Sequence, residues 1–144
     1  MAVQAVDTRF LESLMGYNTR RASLAILERF MRDMAVYDLR PVSFSVLSLI
    51  AHNPGITSRQ LCTALGLLPP NLVGMVNALQ KRELIERRPH ASDRRAVCLH
   101  ASAKGQKLLV RAEQTATRLE AEATAKLTPG ESRTLLRLLR KIYL

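Results

Sequence analysis

TSRQLCTALGLLPPNLVGMVNALQK, residues 57–81, decides the fold. Thr57 followed three residues later by Gln60 is a capping box, in which the hydroxyl and the amide each satisfy a backbone group that the first helical turn leaves unpaired. A short helix therefore starts here, runs to about Leu65 and stops at Gly66. Pro69 and Pro70 preset the backbone for a second helical start, and Leu72, Met75, Val76 and Leu79 then recur at helical steps. These four take the inner side of the second helix. Pro69, Pro70, Asn71, Val73, Gly74 and Asn77 are left on its outer side.

Downstream, Leu84–Arg87 and Ala96–His100 are short mixed polar and apolar runs separated by the turn-prone PHASD, which reads as an antiparallel hairpin. Its tip is strongly basic. Residues 81–95 hold Lys81, Arg82, Arg87, Arg88, Arg94 and Arg95 against Glu83, Glu86 and Asp93. Such a stretch repels itself unless an external anion or an opened turn relieves it. A short helix, a turn, a second helix and a basic hairpin, in that order, make a winged helix-turn-helix. In such a unit the second helix enters the major groove of DNA, and the hairpin follows the backbone or enters the minor groove.

On either side the pattern is helical. Pro41 opens a helix containing Phe44, Val46, Leu47, Leu49 and Ile50, which Asn53-Pro54-Gly55 closes. From Thr8 to about Asp38 apolar residues recur at Phe10, Leu14, Tyr17, Leu24, Leu27, Phe30, Met31, Met34 and Tyr37, which reads as one long helix. Its middle, ASLAIL, is apolar on more than one side, so a second subunit is expected to cover it. Ser102 caps a long helix reaching Lys126. Thr128-Pro129-Gly130-Glu131 then caps a last amphipathic helix with Leu135, Leu138, Leu139 and Ile142 on one side and Arg133, Arg137 and Arg140 outward.

The bulk numbers agree. At 144 residues and 47% hydrophobic, the chain is one domain with a real core. Its 22 Lys and Arg against 12 Asp and Glu leave a net charge of +10, the footprint of a protein that meets a polyanion. No apolar run approaches the roughly 20 residues needed to span a bilayer, and Met1–Arg9 has no signal-peptide core, so a soluble cytoplasmic protein without membrane contact is expected. Cys62 and Cys98 lack paired spacing and read as small core residues. His52, His90 and His100 are far apart, and no ligand-spaced cluster, Ser/His/Asp set or glycine-rich phosphate loop stands out. Neither metal nor cofactor is expected, and an enzyme is not indicated.

The runs ITSRQLCTALGLLPPNLVGMVNALQKRELIERR, SDRRAVCLHASAKGQ and LTPGESRTLLRLLRKI together resemble the multiple-antibiotic-resistance regulator (MarR) family nearly end to end. The resemblance implies a mainly α fold with a small β-hairpin wing and a single domain over residues 1–144. Helices over about 8–38 and 103–144 would form the dimer, and residues 41–101 the winged helix-turn-helix. It also implies a homodimer that binds a pseudo-palindromic operator on double-stranded DNA as a repressor. A small aromatic or phenolic effector would release it.

Carried over residue by residue, Asp93 and Arg95 fall on the family's wing pair, in which the acid orients an arginine toward the minor groove. The alternative is a solvated hairpin salt bridge. Arg87, Arg88 and Arg94 would meet phosphates, His90 would touch a phosphate or lie exposed, and Ser92 sits with them in the wing. Asn71 would pair with adenine or simply cap its helix, while Pro70 and Val73 would meet thymine methyls. The effector pocket would lie near Tyr17, Arg20, Arg21, Tyr37, Phe44 and His52, each of which could equally be a core or dimer contact.

Two departures from the family pattern matter. The exposed first turns of the second helix carry no Lys or Arg, and Glu83 replaces the glycine that usually ends it. The family's peroxide-sensing first-helix cysteine is also absent. A sequence-blind architectural or RNA-binding winged protein is the competing function.

Overall fold

The structure is a computed structural model and describes residues 5–144. Residues 1–4, which open the segment expected to lack a signal peptide, lie outside the described residues. The helices are α1 (Arg9–Glu12), α2 (Met15–Asp33), α3 (Pro41–His52), α4 (Ser58–Leu65), α5 (Pro69–Lys81), α6 (Ala103–Ala123) and α7 (Pro129–Tyr143). The strands are β1 (Ile56–Thr57), β2 (Ile85–Pro89) and β3 (Val97–Ala101), with a 3-10 turn at Ala35–Tyr37. This is the expected winged architecture.

The caps explain the boundaries. Thr57 Oγ1 accepts the Gln60 N–H at 3.3 Å while Gln60 Oε1 accepts the Thr57 N–H at 2.9 Å, and Gly66 ends α4 in the left-handed region at φ 63°. Thr128 and Glu131 repeat the box at α7, and Ser102 Oγ accepts the Gly105 N–H at 3.0 Å to open α6. The inner side of α5 is buried through Leu72, Val76 and Leu79, as its spacing requires. These residues join Met34, Val46, Leu47, Ile50, Leu61, Leu84, Leu99 and Leu119 in one core beneath the sheet and helices. Cys98 is buried and Cys62 half-buried.

Three features depart from the sequence reading. The single helix expected over 8–38 is divided, because the Asn18 amide donates to the carbonyls of Glu12 and Leu14 at 2.8 Å each, and the Ser13 hydroxyl takes Phe10 O at 2.6 Å. Those side chains satisfy the backbone outside a helix, so Leu14 is extended. The segment ends early as well, with Asp38 left-handed at φ 48°. The hairpin also supplies only two strands of a three-stranded antiparallel sheet, order β1-β3-β2, in which Ile56 pairs with Leu99 and Thr57 with Cys98. A two-residue strand carries no periodicity to read.

Glu83 adopts φ 59°, the left-handed conformation its position demands. Its side chain is 85% exposed and reaches Lys104 only at 4.0 Å, so little is lost on removing it. Glu83→Gly is expected to raise folding stability by about 0.5–1 kcal/mol, read as a higher urea midpoint at unchanged slope. An unchanged or lower midpoint would refute the strain.

Candidate nucleic-acid interface

The outer side of α5 presents Pro69, Pro70, Asn71, Val73, Gly74 and Asn77, all exposed, with Val73 55% accessible. Leu68 precedes them as an extended residue without a side-chain cap, and Pro69 and Pro70 have no N–H for the helix start to offer. Asn71 instead donates its backbone N–H to Leu68 O at 3.0 Å.

A side-chain hydrogen bond adds to the packing that positions the wing against this helix. Arg87 on β2 donates to Asn77 Oδ1 at 2.6 Å, tying hairpin to helix. Arg88 pairs with Glu86 on the same strand at 3.0 Å, with both side chains more than half exposed. At the tip the His90 N–H donates to Ala96 O and the Ala96 N–H to Asp93 O, each at 3.1 Å, closing the turn. Ser92 donates its N–H to His90 Nδ1 at 3.2 Å, which requires a lone pair there and leaves the proton of the neutral ring on Nε2.

Asp93 does not grip the Arg95 guanidinium. Its Oδ1 accepts the Arg95 backbone N–H at 2.9 Å, two residues on, as short acids in turns do. The carboxylate therefore shapes the tip, and its effect on the arginine is through the main chain. Among the described residues no hydrogen bond or ion pair within the chain engages the guanidinium of Arg94 or Arg95. Both project from a tight turn, charged and free.

The six residues expected around an effector are not brought together. Phe44 packs edge-on against Phe30, with ring centroids 5.6 Å apart, in the wall of a cavity of about 720 Å³ between α2, α3 and α7. Ala22, Ser23, Ile26, Leu27, Leu135 and Leu139 are among its other walls. Tyr37 turns instead to α6, where its hydroxyl lies 2.9 Å from Thr115 Oγ1. His52 lies 2.8 Å from Glu113 Oε1, which also accepts from Ser48 at 2.8 Å. Arg20 and Arg21 are exposed on α2, and Tyr17 is half-buried outside this wall. Four residues of ASLAIL, the run expected to be covered by a second subunit, line this cavity. Which distant helix would face it had no signal.

Charge also links α2 to α6. Arg32 donates to Asp33 at 2.8 Å and holds its carboxyl below the usual carboxylate range, and Arg118 approaches the same acid at 3.9 Å. These ion pairs are exposed on the arginine side and add little stability. The α7 helix has no buried residue, while Leu135, Leu136, Leu138 and Ile142 are 44–63% exposed. Among the described residues no single helix is long and apolar enough to cross a membrane.

A family model described as MarR family matches residues 37–96. A protein of Thauera aromatica, named as a candidate transcriptional regulatory protein for the hcr operon, is 32% identical over 130 residues, 90% of this chain and 78% of its own. Among solved structures, the transcriptional repressor CouR bound to a 23-mer DNA duplex is 37% identical, with a TM-score of 0.91 over 98% of this chain and 100% of its own. CouR bound to p-coumaroyl-CoA is 35% identical, with a TM-score of 0.84 over 96% of this chain and 97% of its own.

Proposed function

Because the chain belongs to the MarR family of transcriptional regulators, we propose that it acts as a homodimeric repressor whose two winged units bind a pseudo-palindromic operator. The observation that carries this is the pair of unpartnered guanidinium groups at the tip of a wing fixed to α5, in a fold that matches a DNA-bound repressor over nearly its whole length. Each copy contributes one outer face of α5 to the major groove, where Asn71 can pair with adenine and Pro70 and Val73 can meet thymine methyls. Arg94 and Arg95 serve the flanking minor groove and its phosphates, and Arg87, Arg88, His90 and Ser92 the adjoining backbone. The dimer itself forms through α7 and the N-terminal helices, which otherwise leave apolar faces in water.

The effector reading rests on the cavity walled by Phe30 and Phe44. Its aromatic and aliphatic lining suits a planar aromatic group, and CouR carries p-coumaroyl-CoA. Because α2, α3 and α7 all contribute walls, occupancy can favour one spacing of the winged units over another. Release from DNA requires the effector to bind the operator-incompetent spacing more tightly.

Competition between the promoter fragment of the chain's own gene and random duplex, over a salt series, tests the reading. A specificity ratio of about 10³ or more is expected, with affinity falling steeply as salt rises. A ratio near unity would make the protein a sequence-blind binder, and salt-independent absence of binding would remove DNA altogether. In the same series Arg87→Ala should reduce the salt slope by about 2, the signature of one lost phosphate contact in each subunit of the dimer. An unchanged slope would confine Arg87 to its bond with Asn77.

A further inference from the structure

We propose that the notch between the end of α5 and the first half of α6 is a second ligand site, built for the phosphate or diphosphate group of a small metabolite. The notch has a volume of about 290 Å³ and is lined by Arg82, Leu84, Lys104, Lys107, Leu108 and Arg111. Four of these six side chains are cationic and none is acidic.

Lys104, Lys107 and Arg111 stand at i, i+3 and i+7, one face of α6 extending over about 10 Å. Like charges so placed repel one another and would splay in water. Here they are held. The Arg82 guanidinium donates to Asp38 O at 2.7 Å and Tyr37 O at 2.8 Å, and Lys104 Nζ donates to Arg82 O at 3.1 Å. Arg111 lies over the Tyr37 ring at 5.7 Å, and that ring is itself anchored on Thr115. Backbone carbonyls and an aromatic face thus fix three cations around one concavity without neutralising them. The acid that comes near, Glu83, reaches Lys104 only at 4.0 Å and is 85% exposed. A planar guanidinium fork beside compact ammonium donors suits the oxygens of a phosphate.

The notch coincides with neither surface already described. Leu84 lies at the root of the wing, and the length of β2 puts the tip roughly 17 Å away. Glu120, the α6 residue in the apolar cavity, falls on nearly the opposite side of that helix from Lys107 and Arg111. The notch does sit where the end of α5 holds the Tyr37–Asp38 link between α2 and α3.

Calorimetric titration of the full-length protein in about 0.15 M chloride, where exposed charges are screened beyond about 8 Å, tests this. The probes are pyrophosphate, a nucleoside diphosphate and coenzyme A. Saturable binding of pyrophosphate at one site per chain is expected. Lys104→Gln with Lys107→Gln should weaken it by about tenfold or more, and Arg94→Gln with Arg95→Gln should leave it unchanged. Coenzyme A bound with the same loss would identify the source as a thioester tail, and the nucleoside diphosphate bound in its place would identify a nucleotide. Absence of saturable binding would overturn the proposal, as would equal loss in the wing variant. If the lysine variant weakened duplex binding while pyrophosphate failed to bind, the notch would be a DNA phosphate contact instead. The proposal does not depend on operator recognition and survives its failure.

Discussion

Gly105→Ala is expected to lower folding stability by about 3 kcal/mol. A Cβ built on Gly105 would lie 1.9 Å from the Leu84 carbonyl oxygen and 2.9 Å from its carbon, both backbone atoms. Neither can swing away as a side chain would. The oxygen is also in use, because it accepts the Ser102 N–H at 3.0 Å where β3 hands over to α6. Relief must therefore come from moving the start of α6 off the root of the wing, breaking that bond and disturbing buried Leu84 and Leu109. For a domain whose total stability is on the order of 5–15 kcal/mol, such a loss is large. Gly74→Ala serves as the control: nothing lies within 4 Å of its Cβ, and an exposed helical glycine replaced by alanine should gain up to about 1 kcal/mol. Denaturant midpoints for the two variants should move in opposite directions. Equal midpoints would mean that α6 and the wing do not cross as closely as the structure has them.

The second large effect is on binding. Arg95→Ala should weaken operator affinity by about 1.4 kcal/mol per wing, and a dimer carries the change twice, giving about 100-fold in all. Folding should be untouched, since Arg95 is exposed and its one bond within the chain is made by its backbone N–H. The placement of Asp93 sharpens the test. If its carboxylate oriented the guanidinium by charge, Asp93→Asn would weaken binding nearly as much as loss of the arginine. Because Oδ1 instead accepts the Arg95 N–H, asparagine can supply the same oxygen, and Asp93→Asn should bind within a few-fold of the original while Asp93→Ala should not. Equal losses in the two Asp93 variants would restore the charge-pair account. Normal affinity in Arg95→Ala would remove the wing from the interface.

The helical framework was legible because its signals are local. Each of Thr57 with Gln60, Ser102, and Thr128 with Glu131 fixes a helix start within four residues, and the three- and four-residue steps of Leu72, Val76 and Leu79 fix which side of α5 is buried. Glu83 stood out as a non-glycine residue where the family usually ends this helix with glycine, but which backbone region it takes was not legible. What escaped depends on partners distant in sequence. Asn18 reaching back to Glu12 breaks a run whose periodicity is continuous, and β1 exists only because Ile56 finds Leu99. Tyr37 was placed near the effector pocket by the family resemblance. Thr115 and Arg111, more than seventy residues on, draw it to the other side. The wing pair was placed at Asp93 and Arg95 by resemblance, but a sequence cannot say whether a carboxylate meets a guanidinium or the N–H of the same residue.

Hydroxyl-radical footprinting of the promoter fragment bound by the purified protein tests most directly whether two copies of one wing grip a single duplex. Two equivalent protected patches are predicted, related by a dyad and centred about one helical turn, or 10–10.5 base pairs, apart, each with a protected minor groove on its outer flank that reappears in Arg95→Ala. A single unpaired patch, or uniform protection along the fragment, would contradict the account.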